Sequence, residues 1–218
     1  MAKLSDEELN TLLNRYNYSN LSERYRIMEE YFDIQEGSIV IDGGAFHGDM
    51  MQYFSKKVGE EGKVYSFEPV PSNLDLLRDH KKVHNLENVE ILPMGLWNKT
   101  SREKFYPSSY NNAGSLLEDF RKVKSDFAYS RTVSLDDIVR ILKIPHVDYI
   151  WTNIEGAEVN FLKGAKKTLL NNKCKLCIST HMVNDNYQTT DEVKSILESY
   201  GYKCSHVEGH DMWVYAEK

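Results

Sequence analysis

Residues 38–50 read SIVIDGGAFHGDM, and this stretch decides the fold. A run of β-branched apolar residues ends at Asp42, small residues follow, and a helical pattern begins near Asp49. This order predicts a strand, a tight loop and a helix. Because ligands of an open parallel sheet bind beyond the carboxyl ends of its strands, we expect residues 42–48 to line a binding site.

Two further strand-like runs end in residues suited to the same site. Residues 63–68 end at Glu68, about 20 positions beyond the glycine-rich loop, where an acidic residue commonly binds ribose hydroxyls. Residues 88–96 run into a turn at Met94 and Gly95 that we expect to lie over an adenine ring. The site is therefore predicted to bind a cofactor that contains a nucleoside.

The charges beside the loop distinguish between two such cofactors. A dinucleotide site uses Gly-x-Gly-x-x-Gly, but Ala45 replaces the middle glycine here, and Asp42 and Asp49 would repel a pyrophosphate. S-adenosylmethionine brings an ammonium and a sulfonium to that place, and the two carboxylates complement these cations. We therefore predict S-adenosylmethionine, with His47 near its carboxylate end. The predicted cofactor-binding residues are Asp42, Gly43, Gly44, Ala45, His47, Glu68, Pro69, Met94 and Gly95.

The composition is typical of a soluble α/β protein. The 218 residues are 41% hydrophobic and 28% charged, and the formal net charge is −6 at pH 7. No run of Lys and Arg suggests a nucleic-acid surface, no apolar stretch is long enough to cross a bilayer, and the amino terminus lacks the pattern of a secretory signal. We expect a cytoplasmic protein with a small-molecule partner and no nucleic-acid or membrane partner. Its three cysteines are expected to be structural thiols.

Two segments are candidates for contacts with a substrate. Residues 1–35 are predicted to form an amphipathic helical cap or lid ahead of a cofactor-binding domain at residues 36–218. These helices could also pack against a second copy of the chain, so a homo-oligomer stays open. Residues 98–131 are expected to be irregular, and their turn formers favour a functional loop. The predicted substrate-binding residues are Tyr110, Asn111, Asn112 and Ser115.

The second half of the chain is predicted to deliver polar residues to the same sheet edge. A strand within residues 147–152 leads to Asn153 and Glu155, and a strand at residues 175–180 ends at His181. Glu155 and His181 can both carry a proton, so we regard them as candidate catalytic residues. Glu158 is interpreted as an acid that stabilises the start of the following helix.

The end of the chain and one short helix are predicted from local signals. Ser134 is expected to cap a helix at residues 135–142, with Asp136 and Asp137 in the first turn, where the helix dipole favours acids. Residues 202–207 and 212–216 flank a polar turn and are predicted to form an antiparallel hairpin at an edge of the sheet.

Five motifs follow one another along the chain: IDGGAFHG at residues 41–48, FEP at 67–69, NVE at 88–90, SLDD at 134–137 and IEGAE at 154–158. Their order resembles the FkbM family of S-adenosylmethionine-dependent methyltransferases over about residues 38–182. The resemblance implies a Rossmann-like class I methyltransferase fold, with a mostly parallel seven-stranded sheet, helices on both faces and a carboxyl-terminal antiparallel hairpin. It also implies O-methylation of a hydroxyl group on a sugar or natural-product small molecule.

One position departs from the family pattern. The family has Lys-Ile-Asp before Val-Glu-Gly, whereas Trp-Thr-Asn, ending at Asn153, precedes Ile-Glu-Gly here. Asparagine can hold a hydroxyl or an ammonium group by hydrogen bonds but cannot take up its proton at neutral pH. We therefore include Asn153 among the catalytic-site residues as a positioning group, and we predict no metal. N-methylation of an amine or peptide side chain, a catalytically silent cofactor-binding scaffold, and an NAD-dependent oxidoreductase stay open as alternatives.

Overall fold

The computed structural model describes residues 29–107, 114–117, 127–184, 186–207 and 210–218. Strands and helices alternate along most of this length, and a central sheet collects the strands. The elements are β1 (Ile39–Gly43), α1 (Asp49–Val58), β2 (Lys63–Phe67), α2 (Pro71–Val83), β3 (Val89–Leu92), β4 (Gly95–Leu96), β5 (Ser101–Pro107), β6 (Gly114–Ser115), β7 (Ala128–Val133), α3 (Leu135–Ile141), β8 (Tyr149–Thr152), α4 (Glu158–Gly164), α5 (Lys166–Asn171), β9 (Lys175–Ser179), β10 (Met182–Asn184), β11 (Tyr187–Gln188), α6 (Thr190–Ser199), β12 (Lys203–Val207) and β13 (His210–Glu217).

Seven strands form the central sheet in the order β12-β13-β9-β8-β1-β2-β3. The five strands from β9 to β3 run parallel, whereas β13 is antiparallel to both β9 and β12. The predicted fold class, including the carboxyl-terminal hairpin, is therefore confirmed. Because β1 lies at the centre and its residues are buried on both faces, it reads as a continuous apolar run rather than an alternating one.

Alternating side chains of the strands pack into two cores, one on each face of the sheet. Ile41 and Ile150 belong to the core beneath α3 to α6, and Val40 and Trp151 belong to the core beneath α1 and α2. Cys174 and Cys177 fall into different cores, and the three cysteines form no disulfide, as the sequence predicted. Helices cover both faces, so the carboxyl edge of the parallel strands is the place left for a site.

The predicted lid, residues 1–35, lies within the described residues only from residue 29 onward. Phe32 in this part is buried, and its ring centroid lies 5.3 Å from that of Tyr149 and 6.2 Å from that of Tyr215. The end of the segment therefore packs on the central sheet. Its role as a lid stays a prediction.

A second, four-stranded sheet has the order β4-β7-β5-β6, so the expectation that residues 98–131 are irregular was wrong for the described part. Of the β5 side chains that the structure describes, only Phe105 is buried, and the outward ones are charged or aromatic, so the strand lacks an apolar alternation. Instead, the Arg102 guanidinium lies 5.0 Å from the Tyr129 ring centroid and Lys104 Nζ lies 4.5 Å from that of Phe127. These cation–π contacts stabilise the exposed face.

The helix that follows β7 begins as predicted. The backbone N–H of Asp137 donates to Ser134 Oγ at 3.2 Å, so Ser134 caps α3. Asp136 accepts hydrogen bonds from Lys167 N at 3.0 Å and Thr168 N at 2.8 Å, so its carboxylate caps α5 in addition to facing the α3 dipole. Among the helices within the described residues, none combines the length and the apolar character needed to cross a membrane.

Candidate active site

The glycine-rich loop turns tightly between β1 and α1 and is held by its neighbours on both sides. Gly44 N and Ala45 N both donate to Phe67 O of β2 at 3.0 Å. On the other side, Asn153 N after β8 donates to Gly43 O at 2.9 Å. Gly44 has a φ of 80°, and a Cβ added to it would lie 2.2 Å from Asn153 O. Only glycine fits there, and the loop brings the ends of three strands together.

Glu68 fastens this loop to the end of β2. Its Oε2 accepts from Phe46 N at 2.9 Å and its Oε1 from Val70 N at 2.8 Å. Burial raises the pKa of the Glu68 carboxyl group from 4.5 to about 7, although these two hydrogen bonds oppose the rise. The Asn73 side chain is a third donor to this group. An ionised carboxylate has about four lone-pair sites, so these donors still leave capacity for a ribose hydroxyl.

Asp42 and His47, two of the predicted cofactor-binding residues, are both buried. Asp42, at the end of β1, accepts from Ser66 Oγ at 2.9 Å. His47 is 1% exposed, its ring lies against Phe46, and its carbonyl oxygen is 2.9 Å from His80 Nδ1. Burial, and secondarily the nearby His80, lowers the pKa of His47 to about 4. His47 is therefore neutral at physiological pH and offers a cofactor carboxylate no positive charge.

Residues of the predicted cofactor site contact the second sheet and the segment that follows β6. Gly95 lies where an added Cβ would be 3.3 Å from Leu116 Cδ1 and 3.7 Å from Pro69 Cβ. The neighbouring Ser115 donates through Oγ to Glu155 O at 2.7 Å and accepts from Leu117 N at 3.0 Å. The Ser115 hydroxyl is thus engaged inside the protein and holds the Glu155 loop; direct contact with a substrate stays a prediction.

The remaining predicted substrate-binding residues, Tyr110, Asn111 and Asn112, lie outside the described residues. Met94 is half-buried and packs on the core beneath α3 to α6.

The structure brings Glu155 and His181 together, as the two strand ends predicted. His181 Nε2 lies 3.9 Å from Glu155 Oε1, and His181 Nδ1 lies 2.8 Å from Glu158 Oε1. Glu155 occupies the left-handed region with a φ of 50°, directly before Gly156 with a φ of 94°. Two consecutive left-handed residues bend the chain sharply at the end of β8 and set the Glu155 side chain beside His181.

Sequence reasoning missed the main contact of Glu158. As predicted, this acid lies in the first turn of α4, and its Oε1 accepts from Gly156 N at 3.0 Å. However, the same oxygen binds His181, and Oε2 accepts from Thr189 Oγ1 at 3.1 Å. His181 is 23 positions away in the sequence, and no local pattern connects the two residues.

These residues fit S-adenosylmethionine. Carboxyl groups at the ends of β1 and β2 can accept hydrogen bonds from hydroxyl and ammonium groups, and the absence of a side chain at Gly44 lets the loop pack directly against Asn153 O beside them. Within the described residues, no group of three or more His, Cys, Asp or Glu side chains is placed so that it could hold a metal ion.

Comparisons with known proteins identify a family from the sequence and a fold from the structure. The family described as the methyltransferase FkbM domain matches residues 42–204. The 2-O-methyltransferase NoeI of Sinorhizobium fredii is 22% identical over an alignment of 174 positions, which covers 73% of this chain and 70% of NoeI.

Solved methyltransferases have the same fold. The methyltransferase FkbM of Methylobacillus flagellatus superimposes with a TM-score of 0.57 at 19% identity over 95% of this chain, which spans only 57% of that protein. A SAM-dependent methyltransferase of Aquifex aeolicus gives a TM-score of 0.55 at 19% identity over 99% of this chain and 97% of its own. The fibrillarin of Aeropyrum pernix, solved with natively bound S-adenosyl-L-methionine, gives 0.54 at 12% identity over 88% and 74%. Because the family match extends over more than half of the sequence and includes every motif described above except the first residue of the glycine-rich one, the chain belongs to the FkbM family of S-adenosylmethionine-dependent methyltransferases.

Proposed function

We propose that this protein transfers a methyl group from S-adenosylmethionine to a hydroxyl oxygen of a small molecule, most simply a sugar. The observation that carries the proposal is the pair formed by His181 Nε2 and the Glu155 carboxylate, 3.9 Å apart. A hydroxyl acceptor must lose its proton as the new bond forms, and an imidazole is the side chain best matched to that task at neutral pH. The resemblance to a relative named as a 2-O-methyltransferase supports an oxygen acceptor.

On the cofactor side, the proposal assigns roles to Glu68, Asp42 and Gly44. When bound, S-adenosylmethionine supplies an electrophilic methyl group on a sulfonium. Glu68 would accept hydrogen bonds from the ribose hydroxyls, and Asp42 would contribute negative charge at the end of β1. Gly44 would act indirectly, because its missing side chain lets the loop pack against Asn153 O and so holds Asp42 and Asn153 side by side.

The acceptor side assigns proton uptake and positioning to different residues. His181 Nε2 takes up the proton of the acceptor hydroxyl. The gap of 3.9 Å to Glu155 Oε1 is longer than a hydrogen bond, so the carboxylate holds a neighbouring hydroxyl of the acceptor rather than the ring itself. The Asn153 amide orients the acceptor, since it can donate and accept hydrogen bonds without titrating.

The first experiment supplies the purified protein with methyl-labelled S-adenosylmethionine and three acceptor sets: mono- and oligosaccharides, primary amines, and lysine-containing peptides. We expect label in the sugar set, on oxygen. Label in the amine or peptide sets alone would replace the proposal by N-methylation. Saturable cofactor binding without transfer to any set would favour a silent scaffold. The match to a methyltransferase family argues against the NAD-dependent oxidoreductase, and NAD serves as the binding control.

Variants then separate cofactor binding from proton transfer. His181→Ala should lower turnover by about 10²- to 10⁴-fold, the usual effect of removing a general base, with unchanged cofactor affinity. Glu155→Ala should also spare cofactor binding and lower turnover, whereas Glu68→Ala should weaken binding. His206→Ala is a matched control, because that histidine is exposed on β12 at the far edge of the sheet. Wild-type turnover in His181→Ala would overturn the assignment of the base.

A further inference from the structure

We propose that Glu158 is a positioning residue that sets which nitrogen of His181 takes up a proton and that raises the basicity of this nitrogen. The proposal rests on the proposed function, because it gives a purpose to the acid–base pair at the same edge of the sheet. It extends the role predicted for Glu158 beyond the stabilisation of a helix start.

The hydrogen bonds around Glu158 are those of a carboxylate that accepts on both oxygens. Glu158 is completely buried. Gly156 N, which can only donate, lies 3.0 Å from Oε1, and His181 Nδ1 lies 2.8 Å from the same oxygen. Thr189 Oγ1 accepts from His181 N at 2.9 Å, which leaves its own hydrogen for Glu158 Oε2 at 3.1 Å.

This arrangement selects one tautomer of the imidazole ring. A carboxylate has no hydrogen to donate, so the short contact to Oε1 requires a hydrogen on Nδ1. In neutral imidazole the other nitrogen then carries the lone pair. That nitrogen is Nε2, the atom directed at Glu155 and, under the proposed function, at the acceptor hydroxyl. The acceptor proton passes to Nε2, the ring becomes a cation beside the Glu158 carboxylate, and the proton then leaves to solvent.

The backbone holds the ring in place through the same two partners. His181 N donates to Thr189 Oγ1, and Thr189 N donates to His181 O at 3.0 Å. The β10–β11 hairpin lies between these two residues and closes the loop. The imidazole is therefore fixed at its backbone and at Nδ1, which leaves little freedom to present Nδ1 to a substrate instead.

Other titratable groups lie near Glu158 and His181. Glu155 faces Nε2 from the loop after β8. From β11 and α6, Tyr187 donates to Glu192 at 2.7 Å, and Lys163 of α4 pairs with Glu192 at 3.2 Å. Burial raises the pKa of Tyr187 far above physiological pH, so it does not titrate in the working range. Glu158 Oε1 lies 2.8 Å from His181 Nδ1, whereas Glu155 Oε1 lies 3.9 Å from His181 Nε2.

The test uses Glu158→Gln, which keeps an oxygen for Gly156 N and His181 Nδ1 but removes the charge. ¹⁵N NMR of the imidazole without acceptor should show hydrogen on Nδ1 in the wild type and in this variant. The titration midpoint of His181 should fall by about one unit or more in the variant, because a neighbouring opposite charge is lost. The acidic limb of the pH profile of kcat/KM should move by the same amount, with unchanged cofactor affinity.

Two further variants distinguish the hydrogen bond of Glu158 from its charge and from a general effect of nearby carboxylates. Glu158→Leu removes the acceptor for Nδ1, so the ring should lose its tautomer preference and turnover should fall towards that of His181→Ala. Glu192→Gln removes a carboxylate of the same region that does not contact the ring, and it should leave the tautomer and the pH limb in place. If Glu158→Leu does not fold, Glu158→Gln and the wild-type NMR spectrum still decide the question.

Two results would overturn the proposal: hydrogen on Nε2 rather than Nδ1 in the neutral imidazole of the wild type, measured above its titration midpoint, or an unmoved titration midpoint in Glu158→Gln. Failure of the proposed function looks different. If the NMR results hold and no acceptor is methylated, Glu158 still positions His181 while the reaction assigned to the site is wrong. If methylation proceeds and the NMR results fail, this inference alone is wrong.

Discussion

Replacement of Gly44 by alanine tests how the loop and the end of β8 fit together. A Cβ at this position would lie 2.2 Å from Asn153 O and 3.0 Å from Asn153 C. Non-bonded atoms essentially never lie within 3.0 Å of a Cβ atom, and the obstacle here is backbone rather than a side chain that can turn away. The loop must therefore move away from β8, and the hydrogen bond from Asn153 N to Gly43 O must lengthen or break.

The size of the effect has two parts. Gly44 has a φ of 80°, and holding alanine in the left-handed region costs about 1–2 kcal/mol. Relief of the overlap by a backbone shift costs about 1–3 kcal/mol more, as for other overpacked sites. Gly201→Ala is the matched control, because Gly201 has a φ of 86° and no atom within 4 Å of the added Cβ. Gly201→Ala therefore incurs only the cost of holding alanine in the left-handed region.

Urea unfolding of the wild type and both variants measures the difference. We expect the free energy of unfolding to fall by about 1–2 kcal/mol in Gly201→Ala and by about 2–5 kcal/mol in Gly44→Ala. Calorimetric titration should show weaker S-adenosylmethionine binding in Gly44→Ala only. Equal losses of stability in the two variants, or full cofactor affinity in Gly44→Ala, would refute the reasoning that this glycine is required by contact with β8.

Three further perturbations test other parts of the structure. Because burial raises the pKa of Glu68 from 4.5 to about 7, the folded protein keeps a proton that the unfolded chain releases in this window. The stabilisation from this retained proton is complete below pH 4.5 and lost above pH 7, so the free energy of unfolding should fall by up to about 3 kcal/mol between these two pH values. Urea titrations at pH 5 and pH 8 measure this change, and Glu68→Gln should abolish it. Ser115→Ala should cost about 1 kcal/mol through the lost bond to Glu155 O and should reduce turnover at unchanged cofactor affinity; unaltered turnover would separate this bond from the site. Asp136→Ala should cost about 2 kcal/mol in thermal unfolding, because it uncaps α5. Asp137→Ala should cost below about 1 kcal/mol, because the Asp137 side chain is partly exposed and pairs with the exposed Arg140, and the reverse order would contradict the capping assignment.

The central sheet could be predicted because its strands carry their signal locally. β1 is a short run of buried apolar residues that ends in a carboxylate and glycines, and β8 and β9 show the same change from apolar to polar residues at their ends. Parallel strands meet at one edge, so the residues that follow them, such as Glu68, Glu155 and His181, could be assigned to a common site from the sequence pattern alone.

The second sheet and the partner of His181 could not be predicted, for two different reasons. β5 and β7 face outward with Arg102, Lys104 and Tyr129, so their pattern is that of a polar loop, and cation–π contacts across the strands replace an apolar face. Glu158 meets His181 only because α4 and the end of β9 are adjacent in space. An acidic residue in the first turn of a helix is common, and the residues around Glu158 do not indicate that it contacts a distant histidine.

The central position of β1 has a consequence for how the chain folds. Val40 pairs with Val64 and also with Tyr149, and the hydrogen bond from Ile39 N to Asp148 Oδ2 spans 109 residues. The first half of the sheet can form early, but one edge of β1 stays open to association with other chains until β8 arrives, and such long-range pairing is slow. Asn153 meets Gly43 and Gly44 in that same late step. A cofactor that needs these three strand ends together would bind the native state and not the unfolded chain, so by mass action it would stabilise the protein against unfolding and proteolysis.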